Sequence, residues 1–187
     1  MNKGRLEAFS DGVLAIIITI MVLEMEAPEG TSFRDLLSVL PTFIGYILSY
    51  TYVAVYWVNH HRILKDVKFI NDRVLWTNIL WMFSVSLIPF ATAWISSSHF
   101  AAVPMFLYSL ILLISAFFFH ILLASILTAE GHQTTTMKVI AQNKRSVLTI
   151  LFYAISTVTA LFWPIVSFII LAAVTPLWYF KESTEQK

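Results

Sequence analysis

The stretch Arg5-Leu6-Glu7-Ala8-Phe9-Ser10-Asp11-Gly12-Val13-Leu14-Ala15-Ile16, running on as Ile17-Ile18-Thr19-Ile20-Met21-Val22-Leu23, decides how the rest of the chain is read. From Val13 to Leu23 it has no ionisable side chain, and Ser10-Asp11 stand at its mouth. A carboxylate at the edge of an apolar membrane segment is unfavourable unless it has a partner or faces water, so it marks a functional site. On a helix, Ile16, Thr19, Ile20 and Leu23 fall at i, i+3, i+4 and i+7 and share one face. One turn earlier that face takes in Gly12, which permits close helix approach, and, one position off, Asp11. On spacing alone such a stripe is an ordinary packing face.

Composition places the whole chain in a membrane. Its 187 residues are 58% hydrophobic and 12% charged, against about 25% charged in soluble domains. No sizeable soluble domain fits beside the apolar segments. The absence of cysteine excludes a disulfide framework, a thiolate metal site and a cysteine nucleophile. The first apolar run lacks a small-residue cleavage site and reads as a retained helix.

A span needs about 20 mainly apolar residues. Six candidates result, at about 6–25, 36–58, 74–96, 103–127, 146–162 and 165–180, as a single all-α polytopic domain over 1–187. Only Trp163-Pro164 separate the last two, which form a tight hairpin. With six spans, Lys3, Arg5, Arg62, Lys65, Lys68, Arg73, Lys138, Lys144, Arg145, Lys181 and Lys187 share one side. Arg34 alone is opposite, beside Glu24, Glu26, Glu29 and Asp35. The positive-inside rule then puts both termini in the cytoplasm, with the protein in the cell (inner) membrane. An odd span count would destroy this agreement.

Arg5-x-x-x-Phe9-Ser10-Asp11 at the head of the first helix resembles the transmembrane protein 175 family of potassium channels. Prokaryotic members are single six-helix repeats. The resemblance implies a homotetramer whose first helices line the pore, in keeping with the closed symmetry common among homo-oligomers. It puts the narrowest constriction at Ile16, five positions after Asp11, and potassium preference at Thr19, eight positions after it. Further apolar layers fall on Ile20 and Leu23. An apolar ring can gate by dewetting. It would favour potassium because potassium sheds water more readily than sodium. The partners implied are a second, third and fourth copy, the lipid bilayer and permeating potassium. No cofactor, no metal beyond that ion and no nucleic acid are expected.

A polar cluster is expected behind the first helix. The second helix closes with Trp57, Asn59, His60, His61 and Arg62, and the third opens with Trp76 and Asn78. By topology these lie level with Arg5, Ser10 and Asp11. The natural partner of Asp11 is Arg5 or a histidine. The resemblance gives Arg5, Ser10, Asp11, Trp57, His60, His61, Trp76 and Asn78 a bracing role. Neighbours on a helix do not share a face, so His60 and His61 point apart and suit no shared metal. Trp76, Trp81, Trp94, Trp163, Trp178 and Tyr179 read as an interfacial aromatic belt.

A secondary or proton-coupled transporter is the rival function. Such carriers show broken helices at the midplane and internal repeats, and neither is evident here. An intramembrane enzyme would need a converging nucleophile and base. The deep interior offers only scattered Ser, Thr and Asn, with His120 as its lone ionisable group. The chain is not expected to be an enzyme.

Overall fold

In the computed structural model the chain is helical throughout residues 2–65, 67–68, 70–130 and 144–176, the part that the structure describes, apart from short connections. Among these residues eight helical segments follow one another: α1 (Lys3–Leu23), α2 (Phe33–Ser38), α3 (Leu40–Lys65), α4 (Asp72–Ser86), α5 (Ile88–Ser97), α6 (Ala102–Ala129), α7 (Lys144–Ala160) and α8 (Pro164–Val174). α1, α4 with α5, and α6 are each long and apolar enough to cross a membrane, while α7 and α8 are shorter apolar helices. Lys138, Trp178, Tyr179, Lys181 and Lys187 lie outside the described residues.

Local chemistry sets the boundaries. The Asn2 side chain accepts from the Gly4 N–H (3.0 Å) to start α1, and the Asn71 side chain accepts from the Val74 N–H (2.9 Å) to start α4. A reciprocal capping box between Ser32 and Asp35 starts α2. The Ser32 hydroxyl, then its backbone N–H, hold the Asp35 carboxyl below its ordinary pKa.

Two apolar runs expected as single helices are divided. The run at 36–58 begins as α2, breaks at Val39 and resumes as α3. Pro41, in the first turn of α3, has no N–H for the carbonyl four residues back. The run at 74–96 breaks at Leu87, where the N–H turns to the Ser84 carbonyl (3.3 Å) and Pro89 follows at the start of α5. A proline two residues on makes the same demand there. Between α5 and α6 the chain reverses through His99 and Phe100 with φ of 50° and 60°. The Phe100 N–H closes that turn on the Ile95 carbonyl at 2.7 Å.

Helix α6 is the axis of the bundle, packing on α4, α5, α7 and α8, while α1 packs on α3, α4 and α5. Helices in lipid associate through close packing and interhelical hydrogen bonds rather than through water exclusion, and both devices are present. Gly45 lets α3 approach α5: a Cβ there would sit 2.6 Å from the Ser96 hydroxyl. Ser49 bonds Tyr108 (2.9 Å) and accepts from Thr92 (2.7 Å), joining α3, α6 and α5. Ser109, Ser156 and Ser167 form a mutual hydroxyl triad at 2.7–3.2 Å where α6, α7 and α8 cross. Trp81, expected in the interfacial belt, is instead fully buried, edge-on to Tyr56 and Phe119. It lies one turn from Asn78 on the inward face of α4.

The charged ends converge. Lys3 Nζ donates to the Lys65 carbonyl (2.7 Å), and the Lys68 N–H donates to a Glu130 carboxylate oxygen (2.7 Å). The start of α1 and the ends of α3 and α6 therefore meet at one end of the bundle.

Candidate pore wall and its polar support

Helix α1 has two apolar faces with opposite fates. Leu6, Ser10, Leu14, Ile17 and Met21 are buried against the bundle. Ile16, Thr19, Ile20 and Leu23 are exposed, Ile16 at 58% and Leu23 at 81%. Both faces follow the helical repeat, so the difference comes from which neighbours the chain supplies. An open groove of about 400 Å³ flanks the exposed face, between Ile16 and Ile20 on α1 and Pro89, Phe90 and Ala93 on α5. Beyond Leu23, Glu24, Glu26 and Glu29 line an open recess of about 670 Å³.

Thr19 donates its hydroxyl proton to the Ile16 carbonyl (2.8 Å). The hydroxyl oxygen is thereby left with lone pairs rather than a proton to offer outward. That polarity suits a cation. Gly12, read as a contact point for a neighbouring helix, has open space where a Cβ would stand. Among the described residues nothing comes within 4 Å of that position.

Behind the buried face the polar support is a relay. Asn78, fully buried on α4, donates from Nδ2 to the Ser10 hydroxyl (3.0 Å) and faces His60 Nε2 with Oδ1 (2.9 Å). With Oδ1 as acceptor, His60 must donate from Nε2. The His60 ring stacks on Trp81 at 4.8 Å. Ser10, His60 and Asn78 are thus brought together as expected from the sequence.

Four expectations are corrected. Asp11 accepts from Trp57 Nε1 (2.9 Å) rather than from Arg5 or a histidine. Arg5 is exposed, and the ion pair found among the described residues is Lys3–Glu7 at 3.8 Å. His61 turns away from the relay and stacks on Trp57 at 6.1 Å, as i,i+4 neighbours do. Trp76 is 64% exposed and outside the cluster. Two residues from Asn78, it projects from the opposite side of α4. The ties missed by sequence reading are Lys3 to the end of α3 and Thr92 beside Met21 (4.0 Å). Both depend on tertiary approach. Among the described residues no three His, Cys, Asp or Glu side chains converge as a metal site.

Residues 5–89 match the family described as endosomal/lysosomal potassium channel TMEM175. Over 187 residues, all of this chain and 97% of the relative, the chain is 42% identical to a potassium channel of Chryseobacterium sp. (strain P1-3). The chain belongs to the TMEM175 family. A vertebrate relative, the endosomal/lysosomal proton channel TMEM175 of Rattus norvegicus, is 30% identical over 94 residues, 48% of this chain and 19% of that protein. The fold is similar to the crystal structure of a lysosomal potassium-selective channel TMEM175 homolog from Chamaesiphon minutus. The TM-score is 0.84 at 27% identity, with 95% of this chain and 96% of that one covered. An all-helical, multi-pass membrane protein of this family is the coarse result. Its matched segment, 5–89, contains the exposed stripe and the whole Ser10–Asn78–His60 relay.

Proposed function

We propose that this TMEM175-family chain is one subunit of a potassium-preferring cation channel, a homotetramer with six spans per subunit and α1 of each copy at the symmetry axis. The observation that supports it most is the asymmetry of α1, whose Ile16–Thr19–Ile20–Leu23 face is left uncovered by its own chain while the opposite face is buried. The family's relatives of bacterial origin are potassium channels by name. Ile16 forms the narrowest apolar ring, where dehydration and dewetting set the barrier. Thr19 supplies a ring of hydroxyl oxygens that replaces part of the lost hydration and favours the more readily dehydrated ion. Ser10, Asn78, His60 and the Trp57–Asp11 pair hold α1 at a fixed depth and rotation. The Lys/Arg-rich ends face the cytoplasm, with the protein in the cell membrane.

Purified protein in planar bilayers, under opposed potassium and sodium gradients, tests this. A channel with a reversal potential displaced toward the potassium equilibrium value is expected. A saturating, unit-less flux would point to a carrier. A pH gradient imposed in the same bilayers measures proton permeation, which the name of the rat relative makes worth separating. Single cysteines at Ile16 and Leu23 should crosslink between copies, in a background free of cysteine.

A further inference from the structure

A small cavity of about 30 Å³ lies away from α1, where α3, α6 and α7 meet. His120 of α6, Asn59 of α3 and Ser146 of α7 line it, among Tyr52, Tyr56 and Tyr153. His120 Nδ1 lies 2.7 Å from the Ala116 carbonyl. A carbonyl only accepts, so Nδ1 holds a ring proton, and in the neutral ring Nε2 then has a bare lone pair. That Nε2 is buried and has no hydrogen-bond partner. Asn59 and Ser146, which share the cavity wall, are also buried.

Buried polar groups of this kind are satisfied either by protein or by ordered water. A water needs room for about one probe sphere, roughly 10–15 Å³, and two to four polar partners. This cavity offers both. One imidazole without a carboxylate or thiolate is a poor set of donors for a transition metal or a group 2 ion. We propose that the cavity binds one water molecule, which donates to His120 Nε2 and bridges to the Asn59 amide and the Ser146 hydroxyl. The water ties the N-terminal turn of α7 to α3 and α6. Ten residues further along α7, Ser156 makes the corresponding tie directly, to Ser109 and Ser167. The α7–α8 hairpin is then pinned at both ends, by hydroxyls at one and by solvent at the other. None of this depends on where α1 sits in an assembly.

Solid-state NMR of histidine-¹⁵N-labelled protein in lipid bilayers tests it, with His120 assigned by the signal lost in His120→Gln. The expected result is a neutral ring protonated at Nδ1, with magnetisation transfer from water to Nε2. A proton at Nε2, or no transfer from water, would overturn the proposal. Should His120→Gln fail to fold, Ser146→Ala with Asn59→Leu provides the second arm. The water signal at one histidine should then fall to background while the other histidine signals persist, and an unchanged water signal would count against the site. A density map fine enough to show other buried waters should place a peak within hydrogen-bond reach of Nε2. An empty cavity in such a map would refute it.

Discussion

Asn78→Ala should destabilise the protein without changing its ion preference. Asn78 is fully buried and joins α4 to α1 through Ser10 and to α3 through His60, at 3.0 and 2.9 Å. Interhelical hydrogen bonds in membrane proteins are worth on average about 0.6 and at most about 1.7 kcal/mol each, so losing two gives roughly 1–3 kcal/mol. Truncation also leaves the Ser10 hydroxyl and the His60 N–H without partners, and about 1–3 kcal/mol applies to each if neither finds water. The expected loss is therefore at least about 1 and up to roughly 6 kcal/mol, the lower half being favoured if water enters the gap. Ser10→Ala removes one of the two bonds and should cost about half as much or less. The pair should couple by about 0.5–1.5 kcal/mol in a double-mutant cycle, since the two side chains touch. Equilibrium denaturation in mixed micelles, followed by tryptophan fluorescence, suits the measurement because Trp81 stacks on His60 within the relay. Two variants within about 0.5 kcal/mol of the parent, or strictly additive effects, would refute the relay as a structural tie. A shifted reversal potential in the assembled Asn78→Ala protein would place the residue in permeation instead.

Other substitutions separate the pore wall from its support. Ile16→Asn should raise conductance severalfold and bring the potassium and sodium reversal potentials together, because the amide replaces lost water; unchanged currents in bilayers would move the constriction elsewhere. Thr19→Val preserves width and removes the oxygen, so bi-ionic recordings should show lower potassium preference at similar conductance. Trp57→Phe deletes the donor to Asp11 while keeping an aromatic ring, and a thermal melt should register a loss of at most about 1.5–3 kcal/mol, the range for a hydrogen bond to a charged group. Gly45→Val forces a side chain against the Ser96 hydroxyl, with an expected loss of about 1–3 kcal/mol by overpacking; Ser96→Gly in the same chain should restore much of it, and no restoration would mean the clash lies elsewhere.

The apolar stripe of α1 was legible because helical periodicity survives any packing arrangement. Its partner was not. Leu14 and Ile17, which are buried, have the same chemistry as Ile16 and Ile20, which are uncovered, so no hydropathy pattern tells the two faces apart. The relay was half legible. Ser10, His60 and Asn78 are the polar groups at one depth, and buried groups seek each other. Side-chain chemistry alone points Asp11 to Arg5 or a histidine, whereas the geometry gives it Trp57. The i,i+4 relation of Trp57 and His61 contained the missing signal: it sets that pair on one face and His60 on another. The same rule separates Trp76 from Asn78. The break at Leu87 was signalled by Pro89, but a kinked span and two segments read alike in sequence. Ties such as Lys3 to the Lys65 carbonyl depend on backbone atoms, which every residue has, and leave no trace in composition.

Lipid could cover Ile16, Ile20 and Leu23 as well as another subunit could, so apolar exposure alone does not favour an axis. The polar members of the same surface do. Asp11 is exposed with the indole of Trp57 as its hydrogen-bond partner, and Trp57 is itself 45% exposed and stacked on exposed His61. A carboxylate with one neutral donor is poorly served against hydrocarbon, where the remaining lone pairs have nothing to accept from. Thr19, one turn beyond Ala15, turns an oxygen outward whose proton is already spent on its own helix. Beyond Leu23 the surface opens on three glutamates. Along α1, from one end to the other, the uncovered face thus presents a carboxylate, an apolar ring, a hydroxyl oxygen and an acidic mouth. Water at both ends with a narrow apolar section between them satisfies every one of those groups, whereas a lipid environment satisfies only the middle. That balance, rather than hydrophobicity, is the physical reason to place α1 around a pore.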